Sequence, residues 1–220
     1  MHNISKEDYL SVIYKNLDIG GKIKTSVIAE KLEISNAAVT DMIKKLSRDG
    51  HIKYEKYKGI QLTESGKNYA KNMVRRHRIW EVFLYQVVGM PWDKVHDEAH
   101  KLEHSCSDDL INRMEEMLDF PEYDPHGDPI PGKDGTLPKP RKAIPLTILK
   151  EKQKAKVIRV NDFDNGFLKY ISKIGIELNK EILIKDILNF DHSMLVIIDG
   201  KEINLSSTIA ANIFVEVKTK

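Results

Sequence analysis

The chain is 220 residues long, 41% hydrophobic and 31% charged, with a formal net charge of +2, and that length can bury a core in one or two domains. Its single cysteine, Cys106, excludes an intrachain disulfide and fits a reducing compartment. No run approaches the roughly 18 apolar residues of a membrane span, and the opening MHNISKEDYL carries acids and no apolar stretch, so a cytoplasmic protein with no membrane partner is expected.

The small net charge hides an asymmetry. Residues 1–72 carry 13 Lys/Arg against 9 Asp/Glu, whereas residues 73–120 carry 6 against 10. A basic front followed by an acidic, histidine-bearing middle suits a DNA-binding segment followed by a cation-binding one.

In chain order, Ser5 is placed to cap a helix running to about Leu17, with Tyr9, Leu10, Ile13 and Leu17 along one side. Asp8 falls in its first turn, where a carboxylate ordinarily answers the helix dipole. Gly20-Gly21 breaks the chain. Thr25-Ser26 opens a short helix, Glu33-Ile34-Ser35 makes a turn, and NAAVTDMIKKLSRD forms a second helix that stops at Gly50. Two helices joined by so short a turn make a helix-turn-helix, with Ala29, Leu32, Ile34, Val39, Ile43 and Leu46 as its apolar seam. IKYEKYKGIQLT then reads as two short strands turning near Lys58-Gly59, a wing. On the second helix Ser35, Asn36, Ala37, Ala38 and Thr40 suit base edges and thymine methyls in a major groove. Lys44, Lys45, Arg48 and Lys58, with Lys53 and Lys56, suit phosphates, which position a protein without reading sequence. A winged helix used only for protein contact is the blander alternative.

Thr63 caps a long helix over about 64–88, closed by Gly89 and Pro91, whose apolar band runs Tyr69, Met73, Ile79, Trp80, Phe83, Leu84, Val87 and Val88. An ordinary core accounts for part of that band and a homodimer interface for the rest. His77 and Glu81 sit one turn apart on it. The next helix, expected from Trp92 to about Cys106, places His96, His100, Glu103 and His104 within an arc of about 100°. Imidazoles and carboxylates converging from two neighbouring helices are how a helical protein holds a divalent ion. One His-Glu pair would read as a solvated face; six ligand-type residues on facing helices read as a metal site. Cys106, off the edge of that face, reads as a small buried hydrophobe.

Ser107-Asp108 caps a helix to Leu118. Seven of the eight prolines lie from Pro121 to Pro145, with Gly127, Gly132 and Gly135, which predicts an extended linker. A basic stretch from Lys139 to Lys156, a helical stretch from Gly166 to Lys173, and the segments ILIKDILN, MLVIID, KEINLS and FVEVKT follow. Their polar turns, such as Asp199-Gly200, suggest a five-stranded SH3-like barrel. The expected fold is mainly α with a small β domain: winged helix 1–72, helical dimerisation and metal-binding domain 73–140, linker 141–156, and SH3-like domain 157–220.

With the winged helix followed by RRHRIWEVFL and KVHDEAHKLEHSCSDDL, the chain resembles the diphtheria-toxin-repressor family of metal-dependent transcriptional repressors. The likeness is closest over residues 5–132, where HDEA, EH, YEKYKGIQLT and PHGDPIPG fit, and loosest in the barrel. It implies a homodimer that binds a palindromic operator when loaded with Mn²⁺ or Fe²⁺ and represses metal uptake. It implies an ancillary site of His77, Glu81 and His96 completed from the barrel, with Asp162 chosen over Asp164. It implies a primary site of Asp8, His100, Glu103 and His104. Iron-type members resemble one another in having Met and Cys at the positions of Asp8 and His100; manganese-type members have Asp and Glu. Asp8 therefore looks manganese-like, and His100 matches neither branch. Some manganese sensors add a ligand just before a PHG motif, here Asp124, although Asp-Pro is also a plain turn.

No expected ligand is a thiolate, which suits Mn²⁺ or Fe²⁺, while the affinity order of divalent ions makes Zn²⁺ a binder to expect in vitro. Two rival classes stay open at this point. A metallohydrolase would need a general base and a substrate pocket, and HDEAH is not HExxH; a metal-independent winged-helix regulator would keep its histidines for structure alone.

Overall fold

The computed structural model describes residues 5–17, 21–55, 59–162 and 164–217; Lys56 and Lys58, expected on the wing, lie outside them. The chain divides into two units, Met1–Arg76 with Pro131–Thr136, and His77–Ile130 with Leu137–Lys220.

In the first unit, helix α1 (Lys6–Lys15) opens with a capping box. The Ser5 hydroxyl accepts from the amides of Glu7 and Asp8, and the Asp8 carboxylate accepts from the Ser5 amide at 2.6 Å. Three otherwise orphaned backbone donors are thereby satisfied. Helices α2 (Thr25–Lys31) and α3 (Asn36–Arg48) follow. The turn between them puts Glu33 at φ 54°, and Gly50 beyond α3 lies at φ 77°, the left-handed stop expected of a glycine there. Strands β1 (Ile52–Glu55) and β2 (Gly59–Leu62) pair antiparallel, Ile52 opposite Leu62, and Ile23 bridges to Ile60 at the outer edge. This is the winged helix. Leu10, Ile13, Ile28, Val39, Ile43, Leu46 and Ile60 form its core.

Helix α4 (Glu64–Gln86) begins with the Thr63 hydroxyl accepting the Gly66 amide. A side chain at Gly66 would meet the His51 carbonyl at 1.9 Å, so glycine permits the start of α4 to press against the wing. Tyr69 donates to Glu7 at 2.7 Å, and its phenol, half shielded from water and facing that carboxylate, is pushed up to about 12.

In the second unit, α5 (Val95–Leu102) and α6 (Asp108–Met117) are short amphipathic helices. The expected helix from Trp92 to Cys106 is thus cut at both ends; Glu103 caps α5 at φ −57°, ψ −34°, still helical, and His104 lies in the turn after it. The apolar band of α4 is mostly internal here, with Ile79, Val82, Ile111, Met114 and Ile130 packed together. Tyr85, Val87 and Val88 at its end, and Leu110, Met117 and Phe120 on and beyond α6, are exposed.

The C-terminal sheet has six strands in the order β3-β8-β4-β5-β6-β7: β3 (Ile144–Pro145), β4 (Lys154–Val160), β5 (Glu181–Ile187), β6 (Met194–Ile198), β7 (Lys201–Leu205) and β8 (Ile213–Val217), every pairing antiparallel. A bulge after Val157 lets Val157 and Val160 both point inward, three residues apart, and bends the strand. Asp199 and Gly200 both have positive φ, as a tight β6–β7 hairpin requires. Helix α7 (Asn165–Lys173) matches the expected helical stretch, while α8 (Ser207–Ala211) has no counterpart in the sequence reading.

Two expectations are corrected. Residues 144–156 are not linker: β3 pairs with β8, Leu146 and Leu149 are buried, and β4 begins at Lys154. Nor do residues 121–130 run free. The Val160 amide donates to the His126 carbonyl at 2.9 Å, and a Cβ on Gly127 would lie 2.1 Å from the Ile158 carbonyl, so this proline-rich turn is clamped onto β4. Proline density signalled extended backbone, and here that backbone is packed against the sheet.

Candidate metal centre

One turn of α4 sets His77 and Glu81 on the same face, both buried, Glu81 with no exposed surface. His77 Nε2 lies 3.0 Å from Glu81 Oε1 and 3.0 Å from His96 Nδ1 of α5; His96 Nδ1 is itself 3.0 Å from Glu81 Oε1 and 3.5 Å from Asp162 Oδ2, beyond β4. His77 Nδ1 turns the other way, 2.6 Å from Glu103 Oε2, and Glu103 Oε1 meets His100 Nδ1 at 2.9 Å and His104 Nε2 at 3.2 Å. Apart from Asp124, the sequence-predicted residues of the second unit therefore form one chain of alternating imidazoles and carboxylates, joined through His77.

The turn clamped on β4 adds a residue that the sequence reading missed. His126 is fully buried, stacked on Trp92 with ring centroids 5.5 Å apart. Its Nε2 lies 3.2 Å from the Trp92 carbonyl, which can only accept, so in the neutral ring Nε2 carries the proton and Nδ1 the lone pair. That Nδ1 faces Glu81 Oε1 at 3.8 Å. Among the described residues, neither His126 Nδ1 nor Glu81 Oε2 has a hydrogen-bond partner, although both are buried. A lone pair aimed at a carboxylate in a dry site is unfavourable unless something positive stands between them.

Three donor groupings result, each with ligand atoms within 4.8 Å of one another: His77, Glu81 and His96; Glu81, His126 and Asp162; and His100, Glu103 and His104. Asp124 is buried two residues before His126, but its Oδ1 accepts the amides of His126 and Asp128 at 2.9 Å each, and Arg78 Nε lies 3.2 Å from its Oδ2. Asp8 belongs to the other unit, in the first turn of α1.

The carboxylates feel these surroundings differently. Burial alone would raise Glu81, but the imidazoles of His77 and His96 against it hold it well below the usual range. Burial would likewise raise Glu103, and hydrogen bonds from His100 and His77 overcome it, to about 2. Burial and the neighbouring Glu81 carboxylate push Asp124 well above the usual range. Nitrogen and oxygen donors with no thiolate suit ions of hard to intermediate character. The one cysteine stands aside: Cys106 Sγ donates to the Glu103 carbonyl and accepts from Trp80 Nε1. It is half-buried rather than fully buried.

On α3, Ser35, Asn36, Ala37 and Ala38 are exposed, as are Lys44, Lys45 and Arg48. The Ser35 hydroxyl caps the helix through the Ala38 amide and the Thr40 hydroxyl donates to the Asn36 carbonyl, so both hydroxyls already hold backbone partners. Lys44 pairs with Asp41 at 3.4 Å on a fully wet surface, a contact worth little.

A winged helix, a helical segment of convergent imidazoles and carboxylates, and a small C-terminal barrel define a DNA-binding regulator class rather than an enzyme class. Comparison with known proteins agrees. Residues 3–60 match the iron dependent repressor N-terminal DNA binding domain, residues 63–132 the iron dependent repressor metal binding and dimerisation domain, and residues 144–217 the FeoA domain. The diphtheria toxin repressor of Corynebacterium glutamicum is 30% identical over 224 residues, covering 96% of this chain and 95% of that protein. The iron-dependent repressor IdeR of Mycobacterium tuberculosis is 36% identical over 126 residues, 57% of this chain and 55% of that one. A solved manganese-dependent transcriptional repressor in complex with manganese superposes with a TM-score of 0.88 at 37% identity, covering 97% of this chain and all of that one. The chain belongs to the iron-dependent repressor family, that of the diphtheria toxin repressor. Its members are metal-dependent transcriptional repressors, so the hydrolase alternative falls away.

Proposed function

We propose that this protein is a cytoplasmic repressor that binds operator DNA as a homodimer when Mn²⁺ or Fe²⁺ fills the donor groups, and so represses genes of metal uptake. The buried, unpartnered His126 Nδ1 carries this reading: it faces Glu81 Oε1 at 3.8 Å, Glu81 Oε2 is likewise buried without a partner, and a cation held by this group would answer acceptors that no other described residue answers. His77, Glu81 and His96 would hold one ion from the helices, with Asp162 reaching in from the barrel. Glu81, His126 and Asp162 share the same carboxylate and describe an overlapping arrangement, with Asp124 the adjoining carboxyl. His100, Glu103 and His104, with Asp8, would hold the other. Manganese in the similar solved structure and iron in the name of the mycobacterial relative support either ion; Zn²⁺ would bind in vitro by its higher intrinsic affinity.

When bound, the ion supplies two positive charges that several anionic and imidazole donors can share. Asp8 is carried by the DNA-reading segment, and His100, Glu103 and His104 by the helical one, so joint ligation fixes the angle between them. In a twofold dimer that angle sets the spacing of the two α3 helices, which must meet successive major grooves about one helical turn apart. Exposed Tyr85, Val87, Val88, Leu110, Met117 and Phe120 suit burial against a second copy. No helix among the described residues is long and apolar enough to cross a membrane. The test is a gel shift on duplexes selected from a random pool with Mn²⁺, with and without chelator. Chelator should abolish the shift; chelator-insensitive binding rejects the proposal in favour of a metal-independent regulator.

A further inference from the structure

Arg78 follows His77 on α4, so its side chain leaves the helix about 100° away from the donors. It is buried, and its guanidinium is committed to the turn of residues 124–129. It donates to the Pro129 carbonyl, its Nε lies 3.2 Å from Asp124 Oδ2, and its second terminal nitrogen lies 3.7 Å from Asp128 Oδ1. Arg159 of β4 reaches the same Asp128 oxygen at 3.3 Å and stacks on Phe214 at 3.8 Å. One carboxylate, Asp124, ties the turn from inside through two amides, and two guanidinium groups brace it from outside. Both His126 and the positive-φ Gly127 lie within this braced turn.

We propose that Arg78 is a positioning residue for the donor group of Glu81, His126 and Asp162: its fork, spread over Asp124, Pro129 and Asp128, fixes the turn so that His126 presents Nδ1 to Glu81. This rests on the metal reading of that group. The task needs a planar guanidinium, because three acceptors lie in different directions and an ammonium is a single point charge. Groups that orient ligands in this way shift metal affinity by roughly 10- to 100-fold when removed.

The test compares the full-length protein with R78Q, R78K and H126A, reading Mn²⁺ binding by equilibrium dialysis and the ¹⁵N signals of the His126 ring in metal-free protein. In the wild type the ring should show one fixed neutral tautomer with its proton on Nε2. R78Q should spread that signature and weaken one class of bound Mn²⁺ by roughly tenfold or more, while the class at His100, Glu103 and His104 stays near its wild-type affinity. R78K should remain weak; full recovery of affinity by lysine overturns the role of the fork. Wild-type affinity and an unchanged ring signature in R78Q overturn the proposal. If R78Q loses its cooperative melt, Asp128→Asn carries the same expectation in the same direction, and no change there is equally fatal. H126A separates the two levels. If it binds Mn²⁺ like the wild type, the metal reading of this group fails; if it loses Mn²⁺ and R78Q does not, only the positioning role fails.

Discussion

Glu81→Gln removes one charge and almost no volume from a side chain with no exposed surface. Its Oε1 stands 3.0 Å from His77 Nε2 and His96 Nδ1 and 3.8 Å from His126 Nδ1, so one carboxylate serves two donor groups. Groups that only orient a metal ligand shift affinity by roughly 10- to 100-fold when removed, and a carboxylate that is itself the ligand should count for at least the upper end of that range. Mn²⁺ affinity there should therefore fall by about two orders of magnitude, about 2.7 kcal/mol at about 1.4 kcal/mol per tenfold. The group of His100, Glu103 and His104 does not use Glu81 and should keep its ion. Melting gives an independent reading. A ligand at about one hundred times its dissociation constant stabilises the native state by about 2.7 kcal/mol, or about 5–10 °C for a chain of this size. The variant should keep only the part due to the remaining group. Equilibrium dialysis counts the ions, and calorimetry with and without Mn²⁺ measures the shift. An unchanged ion count together with an unchanged Mn²⁺-dependent Tm rise would refute the reasoning.

Asp8→Asn leaves an oxygen to accept the Ser5 amide and so preserves the cap of α1 while deleting the charge. Light scattering should show an intact dimer, and metal-activated DNA affinity should drop about 5- to 150-fold, the size of a typical coupling energy of 1–3 kcal/mol; unchanged metal dependence at fixed salt rejects its role. In metal-free protein Glu103 is held at about 2 against an ordinary 4.5, which corresponds to about 3 kcal/mol of stability. Because the folded-state value is the depressed one, that stability is present above pH 4.5 and drains away as pH falls toward 2. Denaturant titrations down that range should show an acid limb that Glu103→Gln flattens, and an equally steep limb in the variant contradicts the assignment. Replacing Lys44, Lys45 and Arg48 by Gln should reduce the slope of log affinity against log salt by about 0.9 for each phosphate no longer neutralised, leaving base preference in place; an unaltered slope in the triple variant removes this face of α3 from the interface.

The legible parts of this chain are those written in local spacing. Ser5 three residues before Asp8, the short turn at Glu33, Gly50 after α3 and the one-turn His77–Glu81 pair are all readable because their partners lie within a helical turn. His96, His100, Glu103 and His104 follow the same periodicity, even though α5 ends at Leu102, because Glu103 keeps helical dihedrals. The rest depends on distant contacts. His126 sits in a proline-rich stretch whose composition reads as linker, and what makes it a donor is its packing on Trp92 and the clamp of its turn onto β4. Its only local signal is its place between Pro125 and Gly127. Strand β3 has two residues and α8 five, too few for any periodicity to show. Nothing local marks Arg78, whose partners Asp124 and Asp128 lie more than forty residues away in the chain.

The central claim is that a divalent ion decides whether this protein grips DNA, and reciprocity tests it most directly. One metal-free sample is titrated with Mn²⁺ while bound ion and affinity for a selected duplex are measured together, and the Mn²⁺ titration is repeated with DNA saturating. The account predicts that DNA affinity climbs with ion occupancy and that DNA tightens Mn²⁺ binding by the same factor. DNA affinity indifferent to ion content, with Mn²⁺ affinity indifferent to DNA, would contradict it.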